Sequence, residues 1–139
     1  MVEFIRSLGD EVIRTEQKLA ADSDILQGVD WLISYGYRYI LKEDVLEKFP
    51  RRVINLHISY LPWNRGADPN LWSFLENTPK GVSIHYINPG IDTGEILAQK
   101  KVAFGPDETL RTSYDKLSHT IVELFKEVWH EIRDGRRTS

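Results

Sequence analysis

The stretch VDWLISYGY, residues 29–37, is apolar at most positions and closes on a glycine–tyrosine pair. A strand with one face in water alternates polar and apolar residues, so a nearly continuous run bounded by a turn residue predicts a strand buried on both faces, as in a parallel sheet. Three later runs read as further strands: RRVINLHIS at 51–59, GVSIHYI at 81–87 and GEILAQKKVAF at 94–104. Helical patterns lie around them. Val2, Ile5 and Leu8 predict a helix over residues 1–9 that ends at Gly9. A capped turn is expected at 22–28, a short polar helix at 42–48 and a helix at 67–77 holding Trp72, Phe74 and Leu75. From 107 to 134, Leu110, Tyr114, Leu117, Ile121, Leu124, Phe125, Val128 and Ile132 recur at three- and four-residue steps, the mark of a long amphipathic helix. Glu11–Thr15 carries a short β-type run. Strands alternating with helices imply an α/β fold with a mostly parallel sheet. A doubly wound domain ordinarily opens on a buried strand. This chain opens on the helix, so the usual first strand is expected to be absent, and residues 1–139 are expected to form a single domain.

The composition narrows the function classes. Of the 139 residues, 41% are hydrophobic and 28% charged, the balance of an ordinary globular protein. A net charge of −3 argues against a nucleic-acid partner, and the Arg133, Arg136, Arg137 cluster reads as a solvated tail. With no cysteine, the chain has no disulfide and no thiolate nucleophile or metal ligand, which fits a reducing compartment. No apolar run reaches the roughly 20 residues needed to cross a bilayer. The N-terminus has acids in its first turns and no small-residue cleavage site, so a cytoplasmic location is expected.

The chemistry gathers where strands end. In INLHIS the side chains alternate, so Asn55, His57 and Ser59 share one face while Ile54, Leu56 and Ile58 share the other. Ligands of open α/β sheets bind beyond the carboxyl ends of the strands, and the Asn–His pair approaches that edge. Asn can donate to an oxyanion, and His can move a proton near neutral pH; the same pair could equally satisfy a buried strand end. In SIHYINPGIDTGEILAQ, a strand runs into a Pro-Gly turn and then Asp92. An Asp beside a His stabilises the imidazolium, although Asp is also a common turn former. His85, in mid-strand, reads as a packed core histidine. SYGYRYIL, 34–41, supplies a strand end able to line a flat pocket suited to a pterin-like ring, or simply to pack.

Taken in order, Asn55-Leu56-His57-Ile58-Ser59, Leu61-Pro62, Arg65-Gly66-Ala67 and Asp92-Thr93-Gly94 resemble the folate-dependent formyltransferases: glycinamide ribonucleotide transformylase, methionyl-tRNA formyltransferase and the sugar N-formyltransferases. The resemblance covers roughly residues 28–118. It implies a Rossmann-like formyltransferase domain and transfer of a formyl group from 10-formyltetrahydrofolate, the co-substrate, to a primary amine of a small acceptor such as a nucleotide-linked amino sugar. It implies Asn55, His57 and Asp92 as the catalytic residues, with Asn55 and protonated His57 facing the developing oxyanion of a tetrahedral intermediate and Asp92 orienting His57 and relaying the amine proton. Folate would lie against backbone groups of Tyr39, Ile40 and Leu41 and of Ile87, Asn88 and Pro89. Arg65 and Gly66, with Trp63, Asn64, Asp68 and Asn70 nearby, would meet the acceptor, Arg65 being able to take a phosphate. Neither metal nor nucleotide cofactor is called for.

The chain departs from the family in lacking the first strand and its Gly-rich phosphate loop, and with no barrel domain after the long helix a tRNA acceptor is not expected. Two alternatives follow: a hydrolase in which water replaces the amine, and a truncated non-catalytic folate-binding module. A homodimer is also expected if Phe125, Val128 and Trp129 are exposed on the long helix or if a second subunit covers the sheet edge.

Overall fold

A computed structural model of the chain describes residues 1–61, 79–87 and 94–135. Its elements are helix α1 (Val2–Ser7), a 3-10 turn (Asp24–Leu26), strand β1 (Leu32–Tyr35), helix α2 (Glu43–Glu47), strands β2 (Val53–His57), β3 (Gly81–Tyr86) and β4 (Ile96–Lys101), and helix α3 (Leu110–Arg133). The expected helix at 67–77 lies outside the described residues. Glu11–Thr15 is irregular rather than a strand. Its β-type residues are exposed or half-exposed, so no apolar face gives it a reason to pair.

The four strands form one sheet in the order β1-β2-β3-β4. The α/β class holds, but the strand directions differ from a mostly parallel sheet. β1 and β2 run parallel, whereas β2–β3 and β3–β4 are antiparallel. For β3–β4 the reason is chain length. A parallel crossover needs a dozen or more residues, and only nine separate Tyr86 from Ile96. Among the described residues no strand precedes Leu32. β1 is half-buried and Tyr35 is exposed, unlike the doubly buried strand its sequence predicts. β1 has a described neighbour on one side only, whereas β2 and β3 are flanked on both.

Each face of the sheet has its own core. Ile54 and Leu56 of β2, Val82 and Ile84 of β3, and Leu97 and Ala98 of β4 pack under α3 through Leu117, Ile121, Leu124, Phe125, Val128, Trp129 and Ile132, with Ile5 of α1 joining them. Phe125 stacks on Trp129, whose ring also meets Trp31 edge-on. Phe125, Val128 and Trp129 are therefore consumed by the chain's own core, and the helix face expected to offer a partner surface is covered. The apolar stripe starts later than the sequence predicts, because Leu110 and Tyr114 are exposed beyond the end of the sheet contact. α3 begins at a reciprocal cap: Thr109 Oγ1 accepts from the Thr112 N–H, and Thr112 Oγ1 accepts from the Thr109 N–H. It ends near Gly135, whose φ of 73° suits a residue without Cβ. Arg133 ties that end to Asp10 at 2.7 Å. On the opposite face a smaller cluster of Leu26, Val45, Phe49 and Val53 covers one end of the sheet. No helix among the described residues is long and apolar enough to cross a membrane.

Candidate active site

The parity of the strands sets the site. With Ile54 and Leu56 turned toward α3, Asn55 and His57 must face the opposite side. The antiparallel register then places His85 opposite Asn55 and Ser83 opposite His57, while Gln99 of β4 lies opposite Ser83 and Ser34 of β1 beside Asn55. Residues directly paired across strands project to the same side. Six polar side chains on four strands thus occupy one face: Ser34, Asn55, His57, Ser83, His85 and Gln99. Polar groups buried inside a sheet must be bonded to be tolerated, and Asn55, Ser83, His85 and Gln99 each carry a side-chain hydrogen bond.

Two bonded groups stand out. In the first, the Asn55 amide nitrogen lies 3.3 Å from His85 Nε2, and His85 Nδ1 lies 2.8 Å from the Tyr86 carbonyl oxygen. The His57 and His85 rings meet edge-on with centroids 6.3 Å apart. His57 is 7% exposed and His85 1%. In the second, Ser83 Oγ donates to the Ser59 carbonyl at 2.7 Å and accepts from the Leu61 N–H at 3.1 Å. Gln99 Nε2 closes the ring, reaching Leu61 O at 2.8 Å and Ser83 Oγ at 3.0 Å. This clamp holds Ser59–Leu61, the segment just past His57, against β3 and β4. It fixes the exit of the strand that carries the Asn–His pair.

The other predicted residues are placed as follows. Asp92, Asn88, Pro89, Arg65 and Gly66 lie outside the described residues. The base of the turn that carries Asp92 is described, however. The Tyr86 N–H donates to Glu95 O at 2.9 Å, the Ile87 N–H donates to Val53 O at 3.0 Å, and Glu95 pairs with Arg51 at 3.1 Å. Gly94 presses so close to the Tyr86 carbonyl that a Cβ there would sit 1.7 Å from its oxygen. The glycine of Asp92-Thr93-Gly94 is therefore required by a close backbone approach. Tyr39, Ile40 and Leu41 follow β1. Ile40 is exposed, whereas Leu41 packs against the cluster around Val45 and Val53, which Ile87 also joins. Two of the expected folate-lining positions, one from each segment, thus meet on one patch. Tyr37 anchors the approach to this patch, its hydroxyl donating to Gln17 O at 2.6 Å and accepting from the Leu19 N–H at 2.9 Å. At the end of β1, Tyr35 is exposed as a residue, but partial desolvation of its hydroxyl beside α3 pushes it above its ordinary pKa, partly opposed by a hydrogen bond with Ser118.

Three members of the polar face, Ser83, His85 and Gln99, carry bonds that local sequence pattern does not reveal. Alternation in GVSIHY puts Ser83 and His85 on one face, which is visible in the sequence; that this face joins that of Asn55 depends on the cross-strand register.

A short parallel strand pair joined to an antiparallel hairpin, with a helix packed on one face and an Asn–His pair at the end of β2, is the architecture of a Rossmann-like α/β domain. The chain belongs to the formyl transferase family, whose model matches residues 9–129. It is similar to the formyltransferase PseJ from Anoxybacillus kamchatkensis, with 56% identity over 99% of this chain and 72% of that one, and a TM-score of 0.96; that structure holds UDP-4,6-dideoxy-4-formamido-L-AltNAc and tetrahydrofolate. Two more distant structures agree in fold. A phosphoribosylglycinamide formyltransferase from Bacillus halodurans shares 30% identity over 75% of this chain and 54% of its own, with a TM-score of 0.71. A 4-N formyltransferase from Francisella tularensis shares 28% over 83% and 47%, with a TM-score of 0.76. The chain therefore spans about half the length of these two relatives.

Proposed function

We propose that this chain transfers a formyl group from 10-formyltetrahydrofolate to the primary amine of a nucleotide-linked amino sugar, with residues 1–139 acting as one catalytic domain in the cytoplasm. The observation that carries this is the 56% identity, over nearly the whole chain, to a formyltransferase bound to a UDP-linked formamido sugar and tetrahydrofolate.

The residues on the polar face suit the reaction. The amine nitrogen attacks the formyl carbon, and charge develops on the formyl oxygen. Preorganised donors matter most at that moment. Asn55 supplies an amide N–H from a strand flanked on both sides, and His57, two residues on, supplies an imidazole on the same face. Asp92 completes the set in this proposal, holding His57 protonated and accepting the proton that the amine loses. The folate ring is assigned to the backbone of Tyr39, Ile40 and Leu41 and of Ile87, Asn88 and Pro89, a reading supported by the shared packing of Leu41 and Ile87. Arg65 and Gly66 are assigned to the acceptor, Arg65 meeting a phosphate.

The test is an incubation with 10-formyltetrahydrofolate and a UDP-linked 4-amino-4,6-dideoxy sugar, following tetrahydrofolate release and the formamido product. Release that depends on the sugar supports the proposal. Release without any amine would identify a hydrolase, and folate binding without release an inert binding module.

A further inference from the structure

We propose that His85 is a positioning residue for the reaction: it fixes which way the Asn55 side-chain amide points. This rests on the assignment of Asn55 to the oxyanion.

A carbonyl oxygen can only accept, so at 2.8 Å from Tyr86 O the Nδ1 of His85 must donate. In the neutral ring the proton then sits on Nδ1, and Nε2 has only a lone pair to offer. Asn55 meets that lone pair at 3.3 Å, and only its NH2 end can bond to it. The Asn55 oxygen facing Nε2 would set two acceptors against each other inside the sheet, where an unmet polar group costs about 1–3 kcal/mol. One N–H of Asn55 is thereby committed to His85. Because the amide is planar, the direction of its second N–H and of its carbonyl oxygen follows. An asparagine amide otherwise rotates between two near-isosteric orientations that exchange donor and acceptor, and only one offers a donor to a developing oxyanion.

The backbone keeps His85 in place. It is 1% exposed, sits in the strand flanked by β2 and β4, and lies at the shift in the β3–β4 register, where its partner is Ile96 although Ile84 pairs with Ala98. Such irregularities re-aim a side chain. Its ring meets the His57 ring edge-on, and its Nε2 faces the Asn55 amide, the group through which the proposal has it act.

The test separates this role from mere packing. A glutamine side chain places an oxygen near the position of Nε2, whereas an asparagine reaches only the position of Nδ1. His85→Asn, which can keep the bond to Tyr86 O, is expected to lower kcat on the order of a hundredfold, as loss of one oxyanion donor does, with KM for both substrates nearly unchanged. His85→Gln is expected to recover most of that loss. In an Asn55→Ala background, His85→Asn is expected to change kcat by less than about twofold, because two residues acting through one group are not additive. Equal losses for the Gln and Asn variants, or an undiminished loss in the Asn55→Ala background, would overturn the proposal. A nitrogen-15 NMR spectrum of the parent protein supplies a readout independent of turnover: the Nδ1–H tautomer of His85 is expected, and the Nε2–H tautomer would overturn it. If the parent shows the expected tautomer but forms no formamido product, it is the assigned reaction that fails and not the hydrogen-bonded pair.

Discussion

Replacing Ser83 with alanine removes one oxygen from the middle of the sheet, and three hydrogen bonds meet at that oxygen. The Ser59 carbonyl loses a donor at 2.7 Å, the Leu61 N–H loses its acceptor at 3.1 Å, and the Gln99 amide loses one of two contacts while keeping Leu61 O at 2.8 Å. Ser83 is fully buried, and both Ser59 and Leu61 are buried too. A buried group left without its partner costs about 1–3 kcal/mol, and each ordinary bond contributes about 1 kcal/mol net. The space vacated by a hydroxyl is smaller than the ~30 Å³ that a water occupies in the liquid, so solvent does not repair the loss. The expected destabilisation is about 3 kcal/mol, on the order of a hundredfold in the folding equilibrium and a large part of the ~5–15 kcal/mol typical of a whole domain. Urea unfolding of parent and variant, followed by tryptophan fluorescence, measures it. A loss below about 1 kcal/mol at unchanged m-value would refute the clamp as a structural determinant.

Three further outcomes are expected. Gly94→Ala drives a methyl group into the Tyr86 carbonyl, where the nearest atoms are all backbone of Tyr86 and Ile87 and no flexible side chain can yield; it should open the base of the turn bearing Asp92, abolish formyl transfer and cost about 2–4 kcal/mol, and wild-type activity in this variant would contradict the close approach. Glu108 is held below its ordinary pKa of 4.5 by hydrogen bonds from Lys116 and Thr112. A carboxylate depressed in the folded state adds stability that is present above its unfolded pKa and lost as pH falls through the folded value, so Glu108→Gln should weaken the chain near neutral pH and match the parent below the depressed value; parallel stability–pH curves would show that the group contributes nothing. His57→Ala should abolish turnover while leaving folate binding nearly intact by fluorescence titration, and a rate within a few-fold of the parent would remove His57 from the chemistry.

What the sequence disclosed depended on the range of the interaction involved. α3 and the runs of β2, β3 and β4 are carried by local periodicity, which a single chain displays, and so is the shared face of Asn55 and His57. The direction of β3 relative to β2 is a pairing choice across 23 residues between His57 and Gly81, which no local pattern encodes. The antiparallel β3–β4 hairpin was in principle visible in the short Pro-Gly connection. The sequence reading of His85 as a core residue was correct in burial and incomplete in role, because its bond to Asn55 comes from register. The exposure of Leu110 and Tyr114 shows the same limit: a helix carries its apolar stripe past the end of the surface it covers.

The irregularity between β3 and β4 bears on how this architecture tolerates changes in length. Leu97 is one residue more than the ladder needs between the pairs His85–Ile96 and Ile84–Ala98. A hairpin loop shortened by a single position can draw on that surplus and leave Ser83 opposite Gln99, at the cost of turning Leu97 out of the α3 core toward the face of His85. Sliding the same strand by one step instead would turn Gln99 toward the α3 side and undo the clamp. The spare residue therefore acts as slack between the segment that bears Asp92 and a sheet that cannot shift.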